Sequence, residues 1–144
     1  MNQPTTSSVP AALRTAFVVH FWADIAFAVP LLVAPEALLG LLGWQQVDPI
    51  AARLVAAALF GVGIESYRAR DASADQYRTM LDLKVIWSFA ALLGVALSLL
   101  QGAQGRPLGA WLVLVIFAAF HGLWVYWWRR LRAQAPTVPA PLDP

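Results

Sequence analysis

Long apolar runs alternate with short polar stretches along this chain, and four of the runs are long enough to cross a bilayer. They occupy about 11–33, 49–69, 76–100 and 108–132. A membrane-spanning helix needs roughly 20 mostly apolar residues, so each run predicts one span. Short connections predict that consecutive spans run antiparallel. The pattern therefore predicts an all-α fold, a four-transmembrane-helix antiparallel bundle that forms one membrane domain over 11–132.

A shorter apolar stretch, PEALLGLLG at 35–43, lies between the first two spans. It is too short to span, so we expect a short interfacial helix with Trp44 as its anchor at the bilayer surface. The second span opens with Asp48 and Pro49, residues that favour a helix start. The ends of the chain, 1–10 and 133–144, are rich in proline and polar or small residues, and we predict disordered tails there.

Composition supports a membrane protein. Of the 144 residues, 60% are hydrophobic and 12% charged, whereas soluble domains carry about 25% charged residues. Basic residues collect at one side of the predicted bundle, and this bias predicts a multi-pass protein of the inner (plasma) membrane with both termini cytoplasmic. The arginines on that side are Arg14, Arg68, Arg70, Arg78, Arg129, Arg130 and Arg132. The net charge of +2 gives no reason to expect a nucleic-acid partner; the predicted partner is the lipid bilayer.

Small residues recur every four positions in three of the spans. In the second span this stripe is Ala57 and Gly61, and counting by fours places Arg53 and Glu65 on nearly the same face. The third and fourth spans repeat the pattern with Ala90, Gly94 and Ser98, and with Ala118 and Gly122. Such stripes let helices approach closely. We expect them to pack within the chain, with a homodimer or another membrane partner as the alternative, and Arg53 to snorkel or bind carbonyls of 35–44.

Aromatic residues mark both predicted interfaces. Trp124, Tyr126, Trp127 and Trp128 directly precede the last arginines, as expected for an aromatic belt at that surface. Trp44 and Trp111 mark the interface opposite the arginines.

Few ionisable residues lie inside the spans, where a charge costs about 2.5–3.5 kcal/mol at the centre. At a rise of about 1.5 Å per residue, Asp24 lies roughly 15 Å from Arg14, near the middle of the bilayer. The ionisable residues and two tryptophans at similar depth are His20, Asp24, Glu65, Lys84, His121, Trp22 and Trp87. They predict a polar cavity that opens towards the cytoplasm and binds a small or lipid-like ligand, or a proton. Internal pairing between helices is the alternative, and it is favoured for each residue taken singly, Glu65 and Lys84 among them, except Asp24, which is deepest and has no easy route to water.

The sequence offers little for catalysis. The chain has no cysteine, which excludes thiolate chemistry and cysteine-ligated metals. No catalytic motif is met, so a non-enzymatic role is favoured, and neither a catalytic residue, a metal ligand nor a cofactor is assigned. Two alternatives stay open. One is a redox protein that binds haem through His20 and His121, or a metal through these two and Asp24 and Glu65. The other is an accessory subunit of a larger membrane complex. The charge of Asp24 beside His20 and the lack of Glu-x-x-His spacing weigh against the redox reading.

Three further features lie between the first and second spans or within them. They are the turn with Pro30 and Ala34-Pro35-Glu36, the LLGW at 41–44, and Arg53 followed by small residues up to Gly63. Together they resemble small bacterial four-helix membrane proteins of the DoxX-like kind. The resemblance covers about a third of the chain. It implies the four-helix fold and no particular activity.

Overall fold

The computed structural model describes residues 9–133, which fold into five α-helices without a strand. The helices are α1 (Ala11–Val33), α2 (Pro35–Leu41), α3 (Pro49–Arg68), α4 (Ala74–Leu100) and α5 (Leu108–Ala133). Single 3₁₀ turns follow α3 and α4, at Ala69–Asp71 and Ala103–Gly105. The predicted antiparallel bundle with a short helix after the first span is confirmed. The predicted disordered tails lie outside the described residues, except Val9, Pro10 and Ala133.

Local signals explain where the helices begin. The Asp48 carboxylate accepts hydrogen bonds from the backbone N–H of Ile50 and Ala51, at 2.8 and 3.2 Å, which caps α3. Helix α4 begins two residues earlier than predicted. There, Ser73 and Gln76 form a reciprocal capping box that satisfies backbone donors at the helix start.

The distribution of polar and apolar side chains is the reverse of that in a soluble protein. Lys84 is 1% exposed, whereas Leu54 and Ile86 are each 68% exposed. In water this arrangement would be costly on both counts, because it buries a charge and exposes large apolar side chains. All four long helices are apolar and long enough to cross a membrane. The chain is therefore a multi-pass membrane protein whose outer surface is built for lipid.

The bundle consists of two helix pairs, α1 with α3 and α4 with α5. The pairs meet at the end where α1 and α4 begin, called here the arginine-rich end, in a tightly packed core. The core residues are Val9, Leu13, Phe17, Ala69, Tyr77, Leu81, Trp124, Trp127 and Leu131. The ring centroid of Phe17 lies 4.6 Å from that of Tyr77 and 5.6 Å from that of Trp124. Two of the tryptophans predicted for an interfacial belt, Trp124 and Trp127, thus belong to the core, while Tyr126 stays exposed.

The small-residue stripes are not packed closely against neighbouring helices, contrary to the prediction of packing within the chain. Ala57 and Gly61 are exposed, and among the described residues no atom would lie within 4 Å of a Cβ added at Gly61, Gly94 or Gly122. The buried face of α3 instead follows spacings of four and three. It consists of Ala52, Ala56, Leu59, Gly63 and Ser66. 

Arg53 secures the end of α1. Its Nε donates to the carbonyl of Leu32 at 3.2 Å, so its acceptor lies in the last turn of α1 and not in 35–44.

At the end opposite the arginines, one side chain ties the two helix pairs together. The Oε1 of Gln104 accepts from the backbone N–H of Gln45 and Gln46 at 3.2 and 3.0 Å, and its Nε2 donates to the Gln46 carbonyl at 2.7 Å. Nearby, the backbone N–H of Gly109 donates to the Leu42 carbonyl at 2.9 Å. Gln104 holds this position with a left-handed backbone φ of 51°, a conformation that a non-glycine residue adopts only where its surroundings stabilise it.

We expect Gln104→Ala to loosen this end of the bundle. The substitution removes three hydrogen bonds, each worth about 1 kcal/mol, so the Gln45 and Gln46 amides should exchange with deuterium several-fold faster. Hydrogen exchange read by mass spectrometry in nanodiscs measures this. Gln101→Ala is the matched control, because Gln101 is an exposed cap of α4. Equal exchange in both variants would contradict the proposed tie.

Candidate functional site

Polar side chains from α1, α3 and α4 meet where the packed core ends, about halfway along the bundle. Spacings of three and four residues place them on the inner faces of their helices. The group consists of His20 and Asp24 on α1, Ser66 on α3, and Lys84 and Ser88 on α4, and each is at most 7% exposed. We call these five residues the polar cluster.

Lys84 is the centre of the polar cluster. Its Nζ donates to Ser66 Oγ at 2.7 Å and lies 3.1 Å from His20 Nδ1, so one side chain connects α4 to both helices of the other pair. On its remaining side, Nζ lies 4.8 Å from the ring centroid of Phe17 and 4.7 Å from that of Trp124. Two acceptors and two aromatic faces form an environment suited to an ammonium group.

His20 has two neighbours that compete for one ring nitrogen. Its Nδ1 lies 3.1 Å from Lys84 Nζ and 3.0 Å from Asp24 Oδ2. Nδ1 can accept a proton from Lys84 or donate one to Asp24, but a neutral imidazole cannot do both. With Lys84 as the donor, Asp24 Oδ2 is enclosed and accepts no hydrogen bond from any described residue. An orphaned buried carboxylate oxygen calls for an explanation, because leaving it unpaired costs several kcal/mol in a low dielectric.

Ser88 links the polar cluster to α5. Its Oγ donates to the Lys84 carbonyl at 2.6 Å and lies 2.9 Å from His121 Nδ1. A serine has only one hydroxyl hydrogen, and here Ser88 donates it to the Lys84 carbonyl. The hydrogen between Ser88 Oγ and His121 Nδ1 therefore belongs to His121, which donates to Ser88. His121 is thereby held at the edge of the cluster, half-buried and tilted against the Phe89 ring.

A cavity of about 720 Å³ extends from the polar cluster towards the end opposite the arginines. All five helices or their flanking turns line it. On α4 the lining runs from Lys84 to Val95, which is about 16 Å at the helical rise. Its walls are mainly aliphatic and aromatic side chains such as Phe27, Leu59 and Phe117, and His20, Asp24, Lys84 and Ser88 lie together at one end.

Different contacts close the two ends of the cavity. The core at the arginine-rich end fills the space between the helix pairs beyond the polar cluster. At the other end, Leu42 and Trp44 pack so closely on Gly109 that a Cβ there would lie 2.5 Å from the Trp44 ring and 2.6 Å from Leu42 Cβ. Trp44, expected as an interfacial anchor, thus lines the cavity. The prediction of a cavity opening towards the arginine-rich end is wrong, because aromatic packing occupies that end.

The structure brings some of the predicted site residues together and leaves others out. His20, Asp24 and Lys84 form the polar cluster, Trp87 lines the cavity, and His121 contacts Ser88. Glu65 faces outwards, with its Oε2 3.6 Å from Arg68 Nη1, and Trp22 is 61% exposed. Along their helices both residues lie beside members of the polar cluster, Glu65 next to Ser66 and Trp22 between His20 and Asp24, but their faces point away from the site.

The arrangement does not favour the haem and metal alternatives. Within residues 9–133, no three His, Asp or Glu side chains lie close enough to share a metal ion. Glu65 is on the outer surface, and His121 is outside the cavity lining, where it is engaged with Ser88. The four-residue ligand set considered from the sequence is therefore not assembled.

Sequence reasoning missed Ser66 and Gly63. A Cβ added at Gly63 would lie 2.8 Å from Asp24 Cβ, so only glycine lets α1 and α3 approach at the depth of the carboxylate. The buried positions from Ala52 to Ser66 are separated alternately by four and three residues. This spacing identifies the inner face of α3 better than counting by fours does.

Fold and site together define a multi-pass membrane protein in which a buried ionisable cluster adjoins an apolar cavity. A scan against protein-family models and searches of curated proteins and of solved structures find no match to this chain.

We expect Gly63→Ala to destabilise the bundle and Gly61→Ala to leave it unchanged or slightly more stable. The added methyl at 63 collides with Asp24, and such overpacking costs about 1–3 kcal/mol. At 61 the methyl meets open space and gains helix propensity. Unfolding in detergent, followed by circular dichroism, compares the pair. If Gly63→Ala is as stable as Gly61→Ala, the close approach of α1 and α3 is contradicted.

Proposed function

We propose that this protein binds a small amphipathic or lipid-like ligand in the cavity between its two helix pairs. The observation that carries the proposal is the combination of an apolar cavity with a buried polar cluster at one end, in which the Oδ2 of Asp24 lacks a hydrogen-bond donor. The apolar body of the ligand would lie along the aliphatic and aromatic walls. Its polar group would reach Asp24 and His20.

The size and chemistry of the cavity support this proposal. Ligand sites are typically concave and mostly apolar, about 300–1,000 Å³ in volume, with a few polar groups at defined positions. A cavity of about 720 Å³ lies well within that range. Protein interiors are packed about as closely as crystals and rarely contain an empty space of this size. A ligand taken up from the membrane would explain why the two helix pairs separate on the side of the polar cluster away from the arginine-rich end.

An accessory role within a larger membrane complex is a second candidate, and a different observation favours it. The small residues Ala57, Gly61, Ala118 and Gly122 are exposed on α3 and α5, where another helix could approach closely. A homodimer or a second membrane protein would use the same faces. Either arrangement is compatible with a ligand in the cavity.

We also propose a relationship with DoxX-like membrane proteins, on the features from Pro30 to Gly63. These residues cluster at one end of the structure, where Pro35 begins α2 and Arg53 contacts Leu32. A DoxX-like structure that lacks an equivalent of α2 would argue against the relationship.

Filling the cavity should abolish ligand retention. Ala91 lines the cavity, whereas its neighbour Ala90 is exposed on the outer surface, so Ala91→Phe and Ala90→Phe add the same ring to different faces of α4. Native mass spectrometry from lipid nanodiscs should find a retained molecule in the wild type and in Ala90→Phe, and at least about tenfold less in Ala91→Phe. If the two variants retain the molecule equally, or if the wild type retains none, the proposal is contradicted. The same spectra report oligomeric state and partners.

We place the arginine-rich end, and with it both chain termini, in the cytoplasm. The cysteine-free chain allows single-cysteine reporters, Ala72→Cys between α3 and α4 and Ala103→Cys between α4 and α5. A membrane-impermeant maleimide should label Ala103→Cys on intact cells and Ala72→Cys only after lysis. The unsubstituted chain is the blank, and the reverse labelling order would overturn the orientation.

A further inference from the structure

The donors and acceptors of the polar cluster restrict the chemistry of its ligand. Lys84 is not free to bind it, because Nζ is directed at Ser66 Oγ and His20 Nδ1 and lies over the rings of Phe17 and Trp124. With a residue exposure of 1%, it offers almost no surface to the cavity. The groups left for a ligand are therefore those of His20 and Asp24, which also line the cavity.

His20 contributes a donor. When Nδ1 accepts a hydrogen bond from Lys84, the single proton of the neutral ring resides on Nε2. Within residues 9–133, Nε2 has no hydrogen-bond partner, since the ring otherwise contacts the edges or faces of Phe120 and Trp124. A ligand in the cavity meets an N–H that lacks an acceptor.

Asp24 contributes an acceptor. Its Oδ2 lies 3.0 Å from a ring nitrogen whose one lone pair is already used, and no described residue donates to it. Oδ2 itself is enclosed, and close packing on Gly63 blocks approach from α3, but Asp24 lines the cavity, so a donor can reach the carboxylate only from the cavity side.

Charge balance decides between the polar groups that could fill these roles. The cluster already holds one cation, Lys84, and one anion, Asp24, and among the described residues no other Lys, Arg, Asp or Glu side chain lines the cavity. A carboxylate or phosphate would face Asp24, and an ammonium group would add a second buried cation. Either leaves an uncompensated charge in a low-dielectric interior, which is strongly unfavourable.

We propose that the ligand is a lipid-like alcohol whose uncharged hydroxyl donates a hydrogen bond to the Asp24 carboxylate and accepts one from His20 Nε2–H. A hydroxyl is the simplest group that donates and accepts at one atom without charge. The apolar body should be about 16 Å long, matching the cavity between the polar cluster and Val95. This inference rests on the proposed function and specifies its ligand class.

Four probes of equal chain length test the proposal, namely bromododecane, bromododecanol, bromododecanoic acid and bromododecylamine, each with bromine at the end far from the polar group. Bromine quenches nearby tryptophans, and Trp44 lines the far end of the cavity. Titration into purified protein in nanodiscs, corrected for partition into protein-free nanodiscs, gives relative affinities. The part of the quenching that is lost both in Trp44→Phe and in Ala91→Phe reports binding inside the cavity.

We expect the alcohol to bind at least about tenfold more tightly than the alkane, the acid or the amine, as a hydrogen bond to a charged group implies. Asp24→Asn removes the anion and leaves Lys84 uncompensated, so the preference should shift from the alcohol to the acid. Glu65→Gln makes the same chemical change on the outer surface and should leave the order unchanged.

The outcomes separate this inference from the proposed function. If no probe quenches Trp44 in a manner sensitive to Ala91→Phe, the cavity does not bind such molecules and the proposed function fails. If probes bind but the acid, the amine or the alkane matches or exceeds the alcohol, the cavity is a binding site and the hydroxyl assignment is overturned. An order that Asp24→Asn leaves unchanged also overturns it.

Discussion

The buried amine of Lys84 is the contact on which the middle of this bundle depends. Each helix pair packs on itself, and Lys84 reaches from α4 to His20 on α1 and Ser66 on α3. In lipid there is no hydrophobic force between helices, so hydrogen bonds and close packing must hold the pairs together. Breaking the Lys84 contacts would strand an ammonium group in hydrocarbon, and that penalty fixes the spacing of the two pairs.

That spacing produces the cavity. On the arginine-rich side of Lys84, large aromatic side chains such as Phe17 and Trp124 fill the gap between the pairs. On the other side the lining includes small residues, for example Ala23, Ala91 and Gly94, and the gap remains open as far as Leu42 and Trp44, which pack on Gly109. The Gln104 hydrogen bonds hold that closure across the two pairs. The Lys84 contacts, the aromatic core and the Gln104 hydrogen bonds thus define a cavity whose two ends differ.

The helices were predictable from the sequence because continuous apolar runs and caps such as Asp48-Pro49 are local signals. The position of a residue along its helix axis follows from residue count alone. The rotation of each helix about its axis could not be predicted, because it depends on which helices pack beside it. Trp22 lies two positions from both His20 and Asp24, which already places it on another face. Counting by fours drifts around a helix, and so selected Ala57, Gly61 and Glu65, whereas the alternation of four and three leads to Gly63 and Ser66.

Structural pairing alone does not account for the polar cluster. Buried ion pairs are often no more stabilising than well-packed apolar residues of the same volume, so stability gives weak grounds for placing Lys84 and Asp24 in hydrocarbon. A purely structural network would also satisfy all its members, whereas here, with Lys84 donating to His20, Oδ2 of Asp24 has no donor beside an apolar cavity. The unmet hydrogen bond and the unfilled volume lie at the same place. A single amphipathic occupant would satisfy both, whereas a packing role explains neither.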